Sequence, residues 1–405
     1  MFRPTLIRGT SLDSADSAYG VTRSRRASLS ADQRRKLSML RSSSHPTPLT
    51  PVSYIYHLVP CPRNDCNQKY VVSTDRSGDI HVHVQGIVPQ HSRGDLSQQD
   101  KRCVFLTVHD LGTNHSSLVD FVNSPAMSEI KERSCFIHVD VPGHEENSPD
   151  LPDSYQFPSL QTLGEDLITV LDFLHIRYAV GLGEGAGANV LARCGLAHPR
   201  RLLGLILVNC TASTSSVADA FRSRFSRWRG ADISQSEEDF LIYHKFGHQI
   251  SSECGDACER ERMLAEYRSR LRGNLNTYNI KLYVKAFINR KDLVLRGCQP
   301  DILLITGMRS PYSTVIEKMY KELDKERVTI LKVDKAGDVL AEVPAKVAQS
   351  LLLFCQGQGL LTSLPPPGVE RRMSRAMSME EYDKPNIRRL SLTPSVSESP
   401  PHRKL

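Results

Sequence analysis

Glycine occupies every second position from Gly181 to Gly187, directly after the apolar run Tyr178-Ala179-Val180 and directly before small residues, Ala188 to Ala197, that suit a helix. That order predicts a short strand, a sharp turn and a helix, because glycine alone tolerates the left-handed backbone such a turn needs. Two chemistries use this arrangement. A dinucleotide site needs G-x-G-x-x-G, but counting from Gly181 or Gly183 puts Ala186 or Ala188 in the third position. The next apolar run ends at Val208-Asn209, with no Asp or Glu to hold a ribose hydroxyl. The nucleophile elbow G-x-S-x-G fits the spacing better: Gly183-Glu184-Gly185-Ala186-Gly187 matches it with glycine at the nucleophile position. Gly185 has no hydroxyl, so covalent attack from this turn is unavailable. Cys194 lies nearly three helical turns further on and faces elsewhere.

The rest of the central chain alternates in the same way. Ile80, Val82 and Val84 alternate with His81 and His83, which is strand period. Apolar runs follow at Val104–Val108, Cys135–Val139, Tyr178–Leu182, Leu205–Val208, Ile302–Ile305 and Val328–Leu331. Leu160, Leu163, Leu167, Leu171 and Leu174 recur at helical spacing, as do Leu340, Val343, Val347, Leu351 and Phe354. Short continuous apolar strands separated by helices predict an α/β fold with a mostly parallel sheet covered on both faces. The interval from Thr211 to Arg290 is too long for a loop and is rich in helix formers, so it reads as a helical cap of about 80 residues.

Charge divides the chain differently. The 405 residues carry 52 Lys+Arg against 45 Asp+Glu, a net +7. Residues 1–50 hold 9 basic and 3 acidic side chains, and residues 362–405 hold 8 and 5, which leaves the middle at −2. The basic excess therefore lies in the tails, which argues against a basic nucleic-acid-binding domain. The tails are rich in Ser, Arg and Pro and poor in aromatics, and read as disordered. The expected organisation is a tail over 1–55, a folded domain over 56–361 and a second tail over 362–405. The start, MFRPTLIRGTSLD, has no signal-peptide pattern, and no apolar stretch reaches membrane-spanning length, which predicts a soluble, cytoplasmic chain. Ten cysteines are too sparse for a disulfide scaffold and lack zinc-site spacing, so free thiols and no metal are expected.

The hydrolase reading fixes where the other two members of a catalytic triad belong. The acid usually lies a few residues past the glycine ending the penultimate strand, where Leu304-Ile305-Thr306-Gly307-Met308-Arg309-Ser310 puts Ser310. The base histidine should follow the last strand, where Ala336-Gly337 is followed by Asp338. Gly185, Ser310 and Asp338 all lack the needed side chain.

Several stretches together resemble the N-myc downstream-regulated (NDRG) family: Val108-His109-Asp110-Leu111-Gly112 with Asn114, His138-Val139-Asp140-Val141-Pro142-Gly143, Ser154-Tyr155-Gln156-Phe157-Pro158-Ser159, the Gly181–Ala188 turn, Asn289–Leu293 and Gln356–Gly359. The resemblance covers roughly 70–360. It implies an α/β-hydrolase-like fold without the hydrolase catalytic residues, and a role in cytoplasmic signalling, stress response or differentiation. Met308 and Asp338 depart from the family's pattern, which has an Asp directly after the first glycine and a Gly-Gly pair at the second place.

A pocket could survive the loss of the triad. His109, Asp110 and Gly112 follow the third strand, where hydrolases place half of an oxyanion hole, and the Ala186 N–H supplies the other half. Asp110, His138 and Asp140 are candidates for acid–base chemistry, while the plainer reading has Asp110 capping a turn and the histidines packing at strand ends. Phe221–Arg229 interleaves arginines with aromatics, suiting a solvated helix face, weak contact with anionic lipid, or docking to a phosphorylated partner. In the tails, Arg23 and Arg25 precede Ser28, and arginines stand three residues before Ser38, Ser374, Ser378 and Ser391. These are basophilic-kinase patterns, and Thr393-Pro394 suits a proline-directed kinase. The expectation is a non-catalytic, phosphoregulated adaptor without cofactor, engaging signalling or trafficking proteins and basophilic kinases. The alternatives are an enzyme or small-molecule sensor with an unusual site under the cap, and an electrostatic membrane-surface module.

Overall fold

Each apolar run becomes a strand because, in a sheet covered on both sides, alternate side chains enter two separate cores. The computed structural model describes residues 68–89, 102–214, 233–247, 257–273 and 275–365, all within the unit Cys61–Leu405. The strands are β1 (Gln68–Thr74), β2 (Gly78–Gln85), β3 (Cys103–Val108), β4 (Ser134–Asp140), β5 (Ala179–Glu184), β6 (Leu202–Val208), β7 (Asp301–Gly307) and β8 (Val328–Val333). They form one sheet in the order β1-β2-β4-β3-β5-β6-β7-β8. β2 runs antiparallel to both β1 and β4, and every other pair is parallel. All six residues of β3 are buried, with Val104, Leu106 and Val108 in one core and Cys103 and Phe105 in the other.

The helices follow the periodicities. α1 (His115–Val122) and α2 (Ser128–Glu132) pack on the Phe105 side through Leu118, Phe121, Val122 and Ile130. α3 (Leu160–Phe173) and α4 (Gly185–Ala197) cover the opposite face through residues such as Leu163, Leu167, Val190 and Leu191. Ser159 starts α3 by accepting the Thr162 N–H, which satisfies one of the orphan donors of its first turn.

Between β6 and β7 lie α5 (Ile233–Phe246), α6 (Ala257–Gly273) and α7 (Thr277–Ile288). Arg268 and Arg272 on α6 both reach Glu238 on α5 at 2.8 Å. The buried side chain of Asn279 ties α7 to the loop after β4, donating to Gly143 O at 3.0 Å and accepting the Leu151 N–H at 2.9 Å. The first pair of contacts joins two helices of the insertion, and the Asn279 contacts hold the insertion to the strand end.

After β7 come α8 (Ser313–Lys321), α9 (Val339–Glu342) and α10 (Pro344–Gly357). The apolar series Leu340 to Phe354 predicts one helix, and the chain forms two. Pro344 cannot donate a helical hydrogen bond and restricts the residue before it, so α9 ends at Glu342 and the proline opens α10 at a position where no donor is required. β1 was not anticipated either: it is an edge strand with a single buried residue, Val72, and carries little apolar signal. Among the described residues no helix is long and apolar enough to cross a membrane. The described cysteines are free thiols, all buried except Cys258.

Candidate functional site

β5 passes into α4 through Gly185, whose φ of +51° is the left-handed conformation an elbow requires. The turn is also tightly crowded. A Cβ on Gly187 would strike the carbonyl oxygens of Val108 and His109, so only glycine lets α4 start so close to the end of β3. A Cβ on Gly185 would run into the carboxylate of Asp110. The space in which a nucleophile's side chain would begin is thus filled by an acid from another loop. The Ala186 N–H, which in an elbow of this type belongs to the oxyanion hole, donates to Asp110 Oδ1 at 2.8 Å.

Asp110 is held from the other side by the insertion. His244, near the C-terminus of α5, places Nε2 3.0 and 2.9 Å from the two Asp110 carboxylate oxygens. Its Nδ1 lies 2.6 Å from the hydroxyl of Tyr312, which stands at the start of α8. The imidazole packs among the rings of Phe240, Phe287 and Tyr312. Side-chain exposure is 3% for His244 and 5% for Asp110, so the pair is shielded from water. Burial alone would push the Asp110 carboxyl up. The charge and hydrogen bond of His244, the Ala186 N–H and the charge of Lys245 outweigh it and bring the carboxyl down to about 2. Burial pushes the Tyr312 hydroxyl well above its ordinary range, and the Asp110 charge adds to this. Carboxylate, imidazole and hydroxyl form a relay in the style of a triad, but the hydroxyl at its end is a buried phenol that holds its proton.

Beside this relay, Lys245 reaches Glu184 Oε1 and Asp338 Oδ2, each at 3.0 Å. Two carboxylates, those of Glu184 and Asp338, thereby share one lysine, and the charge of Asp110 acts on it from further away. Burial disfavours the charged lysine, yet the three acids together raise it well above its ordinary value. Burial, with Asp338 and Asp110 nearby, pushes Glu184 up to about 7 against the pull of Lys245. A cavity of about 330 Å³ opens next to this cluster, lined among others by Gly112, Asp120, Glu184, Lys245, Tyr267 and Asp338. Asp110 and His244 do not line it.

The residues singled out in the sequence therefore separate. Gly185, Ala186 and Asp110 meet at the elbow, Gly112 borders the cavity, and Asp338 caps α9 and joins the elbow through Lys245. Ser310 is buried in the turn after β7, where its Oγ accepts the Tyr312 N–H at 3.4 Å. His109 spends both ring nitrogens on backbone: Nδ1 donates to Asp110 O at 2.8 Å, and Nε2 accepts the Val141 N–H at 3.1 Å. His138 sits 2.7 Å from Thr107 Oγ1 and 3.2 Å from Gln85 Oε1, and burial pushes its imidazole down to about 3. His109 directly follows β3, whereas His138 lies within β4, and both are buried. Asp140 belongs to a different group, with His83 and His115, whose donor atoms lie close enough to hold a metal. Ser28, Ser38, Ser374, Ser378, Ser391, Thr393 and the Phe221–Arg229 segment fall outside the described residues.

His244, Lys245, Tyr312 and Glu184 carry no catalytic motif of their own in the sequence. Glu184 lies within the elbow motif and was available to sequence reasoning as the residue before the nucleophile position. His244 and Lys245 come from α5 in the insertion and Tyr312 from the start of α8, all far from the motif in sequence, and only folding brings them in.

A family model described as the Ndr family matches residues 70–362. An uncharacterized protein of Caenorhabditis elegans is 38% identical over 332 residues, covering 80% of this chain and 95% of its own length. Protein NDRG3 of Xenopus laevis is 31% identical over 315 residues, covering 74% and 78%. Among solved structures, a hydrolase from Pseudomonas aeruginosa aligns with TM-score 0.50 at 18% identity, covering 71% of this chain and 97% of that one. A carboxylesterase from Nitrososphaera gargenis aligns with TM-score 0.51 at 15% identity, covering 72% and 99%. At that identity the two structures share the α/β-hydrolase fold with this chain and nothing finer.

Proposed function

The chain belongs to the Ndr family and has the α/β-hydrolase fold, and on that premise we propose that it is a non-catalytic member acting as a cytoplasmic adaptor under phosphorylation control. One observation carries the first half. The Asp110 carboxylate fills the elbow where a nucleophile would stand and is locked there by His244 from the insertion. A hydrolase needs both a nucleophile and an empty N–H site for the oxyanion. Here the nucleophile position is glycine, and the Ala186 N–H is already bound to an internal anion. The kinase-type serines in both basic tails support the second half, since three or four phosphates of about −1.5 to −2 charge each would remove half or more of the tails' positive charge. The partners are then signalling or trafficking proteins that read the tails, the core, or both.

A second reading rests on the same contacts. Asp110 as a carboxylate nucleophile, with His244 deprotonating the water that hydrolyses the covalent intermediate and frees the carboxylate, would suit ester or epoxide opening under the insertion. The exclusion of Asp110 and His244 from the cavity lining disfavours it. Turnover of a panel of esters, lactones, amides and epoxides by the full chain separates the two. The proposal expects no rate above the blank, whereas a rate abolished by Asp110→Asn overturns it. Partner capture with the full chain, with residues 52–361, and with a Ser28/Ser374/Ser391→Ala form tests the adaptor role. Identical partner sets would remove the regulatory reading of the tails.

A further inference from the structure

β2 and β4 pair antiparallel with His83 opposite His138 and His81 opposite Asp140, so these side chains share one face of the sheet. α1 starts over that face with His115. Asp140, at the end of β4, is fully buried. Its oxygens are met by histidine: His83 Nε2 lies 3.1 Å and His115 Nδ1 2.7 Å from Oδ2, while the His115 backbone N–H donates to Oδ1 at 2.6 Å. The two imidazoles stack with centroids 3.5 Å apart and planes 11° from parallel. The three donor atoms all lie within 4.8 Å of one another.

We propose that His83, His115 and Asp140 form a binding site for one transition-metal dication of the zinc type, independent of the elbow. Ligand geometry supports it. An ion about 2.0–2.1 Å from each donor in tetrahedral coordination sets the donors about 3.3 Å apart. The contacts to Oδ2 reach that value by opening about 0.2 and 0.6 Å, and the stacked rings turn apart so that each nitrogen's in-plane lone pair, freed of its proton, meets the ion.

The surroundings are arranged for this role. The amide of His115 fixes Oδ1, so Oδ2 is held facing the rings, as outer contacts orient a ligating carboxylate. Side-chain exposure of 11% for His83 and 12% for His115 against 0% for Asp140 gives the site an open edge and a dry base. Two nitrogens and one carboxylate suit zinc, copper(II) or nickel(II) and disfavour calcium and magnesium, which take all-oxygen shells. With three protein ligands, water completes the shell. The ion would pin β2, β4 and the start of α1 together, and no reaction is assigned to it.

The test is titration of the full chain, freed of metal by chelator, with Zn²⁺ by calorimetry, and with Co²⁺ by visible absorption. Expected are about one equivalent per chain, visible ligand-field bands of a nitrogen and oxygen site, and a rise in Tm of about 5 °C at 100-fold excess over Kd. His83→Gln, His115→Gln and Asp140→Asn, each checked for native circular dichroism, should each weaken binding at least about tenfold. No Zn²⁺ binding by the full chain overturns the proposal. So does a bound Co²⁺ with a thiolate charge-transfer band, which would place the ion on cysteines, or binding that survives in folded His83→Gln and His115→Gln proteins.

Discussion

Replacing His244 with alanine tests the lock on the elbow most fully. The histidine and Asp110 are buried together, and removing one member of such a pair leaves an uncompensated charge, at a cost of about 3–5 kcal/mol. The carboxyl gives an independent measure. It lies near 2 in the fold against an ordinary 3.8, a shift worth about 2 kcal/mol of stability at neutral pH. Because the folded value is below the unfolded one, that stability is complete above about pH 4 and fades as the pH falls towards 2. In His244→Ala the sign reverses. Burial then acts with less opposition, the carboxyl rises above 3.8, and the variant loses stability as the pH rises from about 4 towards 7. The gap between the two proteins should therefore be wider at pH 7 than at pH 5. Asp110→Asn alone keeps the shape and an acceptor for both N–H donors, and should cost about 2 kcal/mol. In the double variant the costs should fall short of their sum by at least about 2 kcal/mol. Urea unfolding of the full chain followed by circular dichroism at constant m-value gives all three numbers. Additivity within about 0.5 kcal/mol, or a gap independent of pH, would refute the coupling.

Gly185→Ser restores the G-x-S-x-G pattern but drives a Cβ into the Asp110 carboxylate, so it should lower stability by about 2 kcal/mol or more and yield no esterase activity; measurable turnover by this variant would contradict the geometry. Gly187→Ala forces a methyl into the Val108 and His109 carbonyls and should destabilise by a similar amount, read as a drop in Tm of several degrees. Glu184 is held up to about 7, above its ordinary 4.5, so it favours the fold at low pH, and that contribution disappears as the pH rises through about 7. Glu184→Gln should accordingly match the wild type near pH 5 and exceed it in stability near pH 8; equal pH dependence of the two proteins would contradict the reading.

The sheet was legible because parallel strands covered on both faces spell themselves as short apolar runs, and Val104–Val108 and Leu205–Val208 do so plainly. β1 was not, because an edge strand with one buried residue has no such run. The division of the last helix was written in Pro344, but the apolar spacing on either side of it masked the break. At the site, the elbow and its missing hydroxyl could be read from five consecutive residues, since spacing alone fixes the turn. The histidine that closes it could not, because His244 is 134 positions from Asp110 and only folding of the insertion joins them. His83 and His115 were hidden for a related reason: one sits in an alternating strand and the other opens a helix, and neither lies within motif distance of Asp140.

The elbow holds this chain's own carboxylate in place of a nucleophile. The most direct measurement of this is intact-mass analysis of the full chain after exposure to a fluorophosphonate and, separately, to a reactive ester and an epoxide. The expected result is an unmodified mass in every case. A covalent adduct on the wild type that disappears in either Asp110→Asn or His244→Ala would contradict it.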